Sequence, residues 1–139
     1  MNTNFKKIFS AAMLGSFCFF AMSFSVNDGK PAGKPWNAPA DAIKKANPMK
    51  GPDALKEGKD LYSQHCKSCH GIKGKGDGPK AEKIDISCGD FSTADFAKKT
   101  DGELYWKTTE GRKPMPAYKE KLSDNERWSV ILYVKTLSK

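Results

Sequence analysis

The chain has 139 residues, with 24 Lys and Arg against 16 Asp and Glu, a net charge of +8 and four cysteines. That length holds one domain, and any targeting segment must be subtracted before its core is judged. The lysines are scattered and no nucleic-acid motif accompanies them, so they read as a solvated face that suits acidic partners, and nucleic acid is not expected.

In chain order, Lys6 and Lys7 precede an apolar stretch from Ile8 to Phe24, with no acid among the first 25 residues. A basic start followed by roughly 15 apolar residues is the pattern of a secretory signal. Ser23 and Ser25 are the small residues before a cut at Val26. The competing reading is an uncleaved membrane anchor; the stretch is at the short end of the about 17–25 residues that span a bilayer, which favours cleavage. Lipidation at Cys18 would want a small residue before it, and Phe17 is bulky. Residues 1–25 therefore read as a signal peptide or an inner-membrane anchor, and the protein as exported to the periplasm.

Beyond that segment only Cys66, Cys69 and Cys88 remain, an odd number that argues against a disulfide framework. A domain of this size is marginal on burial alone and calls for a staple of another kind. Residues 26–52 hold Gly29, Gly33, Pro31, Pro35, Pro39, Pro48 and Pro52. They read as an extended arm with one short helical turn at Ala40–Ala46. Trp36 either ties this arm to the domain or sits exposed on a tail.

The domain proper is expected over residues 53–139. A first long helix begins at Pro52 and Asp53, with Leu55, Gly58, Leu61, Tyr62 and Cys66 on one face. Glycines at 71, 74, 76 and 78 then break regular structure, and residues 80–99 are irregular with short turns near Lys80–Ile84 and Thr93–Lys98. Thr100 with Glu103 predicts a capping box opening a helix over 101–110 that Gly111 stops. Ser123 with Glu126 predicts a second, opening a last helix with Trp128, Ile131, Leu132 and Val134–Leu137 on its apolar face. No alternating strand pattern of useful length occurs, so the class is all-α.

The chemistry sits in Cys66-Lys67-Ser68-Cys69-His70. Two thiols on about one helical turn can add to the two vinyl groups of a haem, and the following imidazole then lies under the iron as an axial ligand. A thioredoxin-like dithiol would need a βαβ setting, and a zinc site would need four ligands where only His65 and Cys88 remain besides this motif. One covalent haem c also fills an interior that the short chain cannot fill by itself.

The second axial position separates a carrier from an enzyme. His65 directly precedes Cys66 and cannot reach the other haem face. Met49 lies in the breaker-rich arm. Met115, in Gly111-Arg112-Lys113-Pro114-Met115-Pro116, is flanked by prolines that stiffen a loop between two helices. A lone methionine is usually core filling, but that setting makes Met115 the expected iron ligand.

These residues resemble the class I cytochromes c, in particular the small bacterial mono-haem kind, over about Asp53 to Leu137. The resemblance implies a fold of three to five helices around one haem. Gly58 and Tyr62 match the family's small and aromatic positions on the first helix, and Val130 and Tyr133 those that cross them on the last. It further implies that the Pro79 carbonyl accepts the His70 Nδ1 hydrogen, that Met115 is the distal ligand, and that Trp106 or Arg112 approaches a haem propionate. Cys88 and the arm lie outside the family pattern, and Cys88 reads as a free thiol.

The expected function is a periplasmic electron carrier, not an enzyme, shuttling single electrons through a His/Met-ligated haem. Its partners would be redox proteins with acidic docking surfaces, greeted by Lys67, Lys73, Lys75, Lys80 and Lys113. Membrane contact would come only through partners or an uncleaved anchor. The alternatives are a haem subunit docked to a larger respiratory oxidoreductase, with residues 26–52 as docking arm, and a peroxidase or gas sensor with an open iron site.

Overall fold

Six α-helical segments occur among residues 29–138, the part of the chain that this computed structural model describes. They are α1 (Ala40–Ile43), α2 (Gly51–His65), α3 (Lys67–His70), α4 (Ala94–Ala97), α5 (Asp101–Glu110) and α6 (Asp124–Lys135), with a 3₁₀ turn at Ala81–Lys83. Among the described residues there is no strand, only an isolated antiparallel bridge between Arg112 and Met115. The architecture is all-α. Three of the six segments are single four-residue turns, and α2, α5 and α6 carry the fold. The segment read as a signal peptide or anchor, residues 1–25, lies outside the described residues.

Each long helix starts where its sequence says it should. Pro52 occupies the first turn of α2, where an N–H would lack an intrahelical partner, and Asp53 faces the positive end of the helix dipole. At α6 the capping box is complete: Ser123 Oγ accepts from the Glu126 N–H at 3.3 Å, and Glu126 Oε2 accepts from the Ser123 N–H at 2.7 Å. At α5 only half of the expected box forms. Thr100 Oγ1 accepts from the Glu103 N–H at 3.1 Å. The Glu103 carboxylate turns instead to Lys99 at 3.3 Å and to Lys107, because a lysine stands four residues away on either side.

The main packing is α2 across α6. They touch backbone to backbone at Gly58, where an added Cβ would stand 1.9 Å from the Ser129 carbonyl oxygen and 3.2 Å from Tyr133 Cβ. Tyr62, one turn on, meets Tyr133 ring to ring at 5.2 Å. The crossing thus centres on Ser129 and Tyr133, and Val130 turns inward with Ile131 and Val134 into the core. Leu104 of α5, Phe96 of α4, Tyr118 and Leu122 complete that cluster.

The start of α6 is fastened by Arg127, only 4% exposed. Its guanidinium donates to the Lys119 carbonyl at 3.2 Å, to the Leu122 carbonyl and to Tyr105 Oη at 3.0 Å, and pairs with Asp124. The proline-rich segment before α2 lies against this frame. Asn47 Nδ2 donates to the Trp128 carbonyl at 3.0 Å, and α1 packs on α5.

Two outcomes follow from this packing. Gly58→Ala must force the α2–α6 crossing apart, and should lower the denaturant midpoint by an amount equivalent to about 3 kcal/mol or more, at unchanged m-value. Ser123→Ala should cost about 1 kcal/mol at neutral pH. The Ser123 backbone N–H and hydroxyl hold the Glu126 carboxyl below its usual range. A folded value below the unfolded one stabilises above the unfolded value and is lost as pH falls through the folded one. The Ser123→Ala deficit should therefore shrink below about pH 4, read from midpoints across pH.

Candidate functional site

Cys66 ends α2, and the chain re-enters a helix at once as α3, so one turn delivers both thiols and the imidazole. The Cys69 and His70 N–H groups both donate to the Cys66 carbonyl, at 3.1 and 3.0 Å. The last carbonyls of so short a helix have no partner within it. The glycine loop supplies them: Gly76 N–H bonds the His70 carbonyl at 2.9 Å, Gly78 the Cys69 carbonyl at 3.2 Å, and Lys80 the Ser68 carbonyl at 2.8 Å. A side chain at position 78 would put Cβ 2.5 Å from the Ser68 oxygen, which is why glycine stands there. Buried Tyr62 donates to the Gly71 carbonyl at 2.7 Å and ties the same turn to α2.

Cys66, Cys69 and His70 open onto a cavity of about 450 Å³. Met115, with Pro114 and Pro116, lines it from the loop between α5 and α6, and Val130, Ile131 and Val134 line it from α6. The volume lies in the range of sites that bury a cofactor. His70 stacks on Phe91 at 4.6 Å, and Phe91 stacks on Phe96 at 4.6 Å. The His70 Nδ1 atom is buried and has no hydrogen-bond partner.

Burial shifts four groups of the wall towards their neutral forms. Burial, and then the neighbouring Cys69 sulfur, push the Cys66 thiol up to about 12. Burial and the two cysteines push Tyr118 up to about 12. Burial pushes Tyr62 upward and lowers His70, against which the Cys88 backbone carbonyl acts in the opposite sense. The described cysteines, Cys66, Cys69 and Cys88, are all free thiols. Cys88 also lines the cavity.

Some expected site residues stand elsewhere. Pro79 makes no hydrogen bond to His70 and lines a separate hollow beside Lys30. The bonds of Gly78 and Lys80 to α3 hold the turn between them against the helix backbone, and His70 Nδ1 is left without a partner. Trp106 does not line the cavity; it lies behind Trp36, ring centroids 6.3 Å apart. Arg112 does line it, but its Nη1 donates to the Lys34 carbonyl at 2.6 Å and its guanidinium lies 4.7 Å from the Trp36 ring centroid. His65, passed over in the sequence, lines the cavity edge-on to Tyr118. Trp36, Phe91 and Phe96 are cavity residues that no periodicity marks. Only the exchange of helix for an aromatic-rich loop near Phe91 hints at them.

The donor set suits one cofactor. Two thiols and an imidazole on one turn, a thioether on a facing loop and an apolar interior are the wall of a small c-type cytochrome. A family described as cytochrome c oxidase, cbb3-type, subunit III has a model that matches residues 53–134, and the chain belongs to that family. It is similar to a solved structure titled Kuenenia stuttgartiensis reducing HAO-like protein complex Kustc0457/Kustc0458, at 33% identity and a TM-score of 0.60 over 66% of this chain. The match spans 47% of that longer chain, about half its length. The c-type cytochrome KustC0563 matches at 32% identity and a TM-score of 0.53, over 59% of this chain and 98% of its own. A tyrosine-to-phenylalanine variant of that protein matches at 29% identity and a TM-score of 0.52, over 58% of this chain and 98% of its own. No curated protein sequence matches significantly. The fold is that of cytochrome c, and the domain is one that binds haem c covalently, with its iron.

Proposed function

We propose that this protein is a periplasmic electron shuttle whose single haem is attached through Cys66 and Cys69 and ligated at iron by His70 and Met115. The observation that carries this reading is the convergence of those four side chains on one apolar cavity. When bound, the haem supplies a one-electron ferric–ferrous couple.

The chain's own residues set the terms of that couple. His70 is held by its stack on Phe91, and Met115 by the reciprocal backbone pair with Arg112 at 2.9 and 2.8 Å. With His70 and Met115 both holding the iron, no place would be left there for a substrate, which favours electron transfer over catalysis. A thioether ligand and a largely apolar wall would both favour the less charged ferrous state. Lys67, Lys73, Lys75, Lys80 and Lys113 are exposed, as is Ile72 at 74%. They suit a weak, transient meeting with an acidic redox partner.

A second reading, a subunit of a larger redox complex, is favoured by the likeness to a chain of an HAO-like complex and by the family's description. On this reading residues 30–49, fastened to the domain through Lys30, Trp36 and Asn47, would dock through their exposed outer face.

Oxidised protein should show the long-wavelength sulfur-to-iron charge-transfer band, and Met115→Ala should abolish it and admit external ligands. High-spin iron in the unaltered protein would instead support an open-site enzyme or sensor. Raising the salt from about 20 to about 200 mM should slow electron transfer to an acidic partner several-fold in stopped-flow traces. A rate independent of salt would remove the lysine rim from the account.

A further inference from the structure

We propose that residues 30–36 form a clamp that holds the Met115 loop closed over the cavity, with Arg112 as its catch and Trp36 as its cover. This rests on the reading of Met115 as iron ligand, and assigns Trp36 and Arg112 as positioning residues for it.

The segment is fastened at both ends to different sides of the cavity. At one end Lys30 Nζ donates to the carbonyls of Ala81, Glu82 and Ile84, at 2.6, 3.1 and 2.7 Å, and the Pro31 carbonyl accepts from the Ser87 N–H at 3.2 Å. Ile84, Ile86 and Ser87 are cavity residues. At the other end Arg112 donates through one nitrogen to the carbonyls of Lys34 and Pro35, at 2.6 and 3.3 Å, while the Trp36 ring lies 4.7 Å from the guanidinium. Residue 33 is glycine where the guanidinium passes, so that a Cβ would stand 3.1 Å from Arg112 Nη2. Trp36 itself lines the cavity and is backed by Trp106.

What the clamp grips is the ligand loop. Arg112 N–H donates to the Met115 carbonyl at 2.9 Å and Met115 N–H to the Arg112 carbonyl at 2.8 Å. A guanidinium fixed from outside thus fixes the backbone of Met115 through two bonds. Arginine suits the catch, since one nitrogen reaches two carbonyls while the delocalised cation lies over an aromatic ring.

The test uses the haem-loaded protein with imidazole as the external ligand, and the charge-transfer band as a second readout. Trp36→Ala and Arg112→Lys should each tighten apparent imidazole binding about tenfold and weaken the band on mild warming. Trp36→Phe, which keeps a ring under the guanidinium, should stay near the unaltered protein. The double variant Trp36→Ala/Arg112→Lys should be no worse than the worse single, because the two act as one unit. Unchanged band and imidazole affinity in both single variants, or fully additive effects, would overturn the clamp while leaving Met115 as ligand. An unaltered protein without the band would remove the ligand reading and the clamp together. If Trp36→Ala does not accumulate, Arg112→Lys against Trp36→Phe decides the matter alone.

Discussion

A methyl group at position 58 would sit 1.9 Å from the carbonyl oxygen of Ser129, far inside contact distance. Because glycine stands there, α2 and α6 approach backbone to backbone, and most of the rest is arranged by that approach. The end of α2 then presents Cys66 to the same interior that α6 lines with Val130, Ile131 and Val134. The first thiol is presented by the end of one helix and the apolar wall by the other. The distance between them is decided by a residue with no side chain.

The second requirement is that a sharp turn of helix survive beside a cavity. Two N–H groups of α3 point back to Cys66, and the glycine loop answers the carbonyls that remain, so the backbone of this turn is held from both sides. The aromatic stack of His70, Phe91 and Phe96 then gives the imidazole a firm side support. Its unpartnered Nδ1 is the one buried donor of that unit left unsatisfied by good geometry. Such an atom is costly to hold in an apolar wall, and is tolerated where the ring has another task.

Much of this was legible in the sequence, because the signals were local. Ser123 with Glu126, Thr100, Pro52 with Asp53, and Gly111 are punctuation that acts within one turn, and the helices they predict are the ones present. Cys66, Cys69 and His70 share a motif, so their common wall follows from the spacing. Contacts between segments distant along the chain were not legible. Glu103 completes no capping box because Lys99 and Lys107 compete for it. Pro79 lies between two residues bonded to the backbone of α3, and still leaves the His70 Nδ1 atom without a partner. Trp36 was equally compatible with an exposed tail until its neighbours Arg112 and Trp106 came into place, more than seventy and about seventy residues later.

The buried Arg127 carries a consequence for how the molecule comes apart. It joins Lys119 and Leu122, at the end of the methionine loop, to Tyr105 on α5 and to the first turn of α6. Opening any one of these alone would strand a charge away from water, at a cost of several kcal/mol. The loop end, α5 and α6 are therefore coupled into one cooperative unit. Slow amide exchange should extend across all three as a single block, and fraying of the methionine loop stops at Leu122 and does not spread into the last helix.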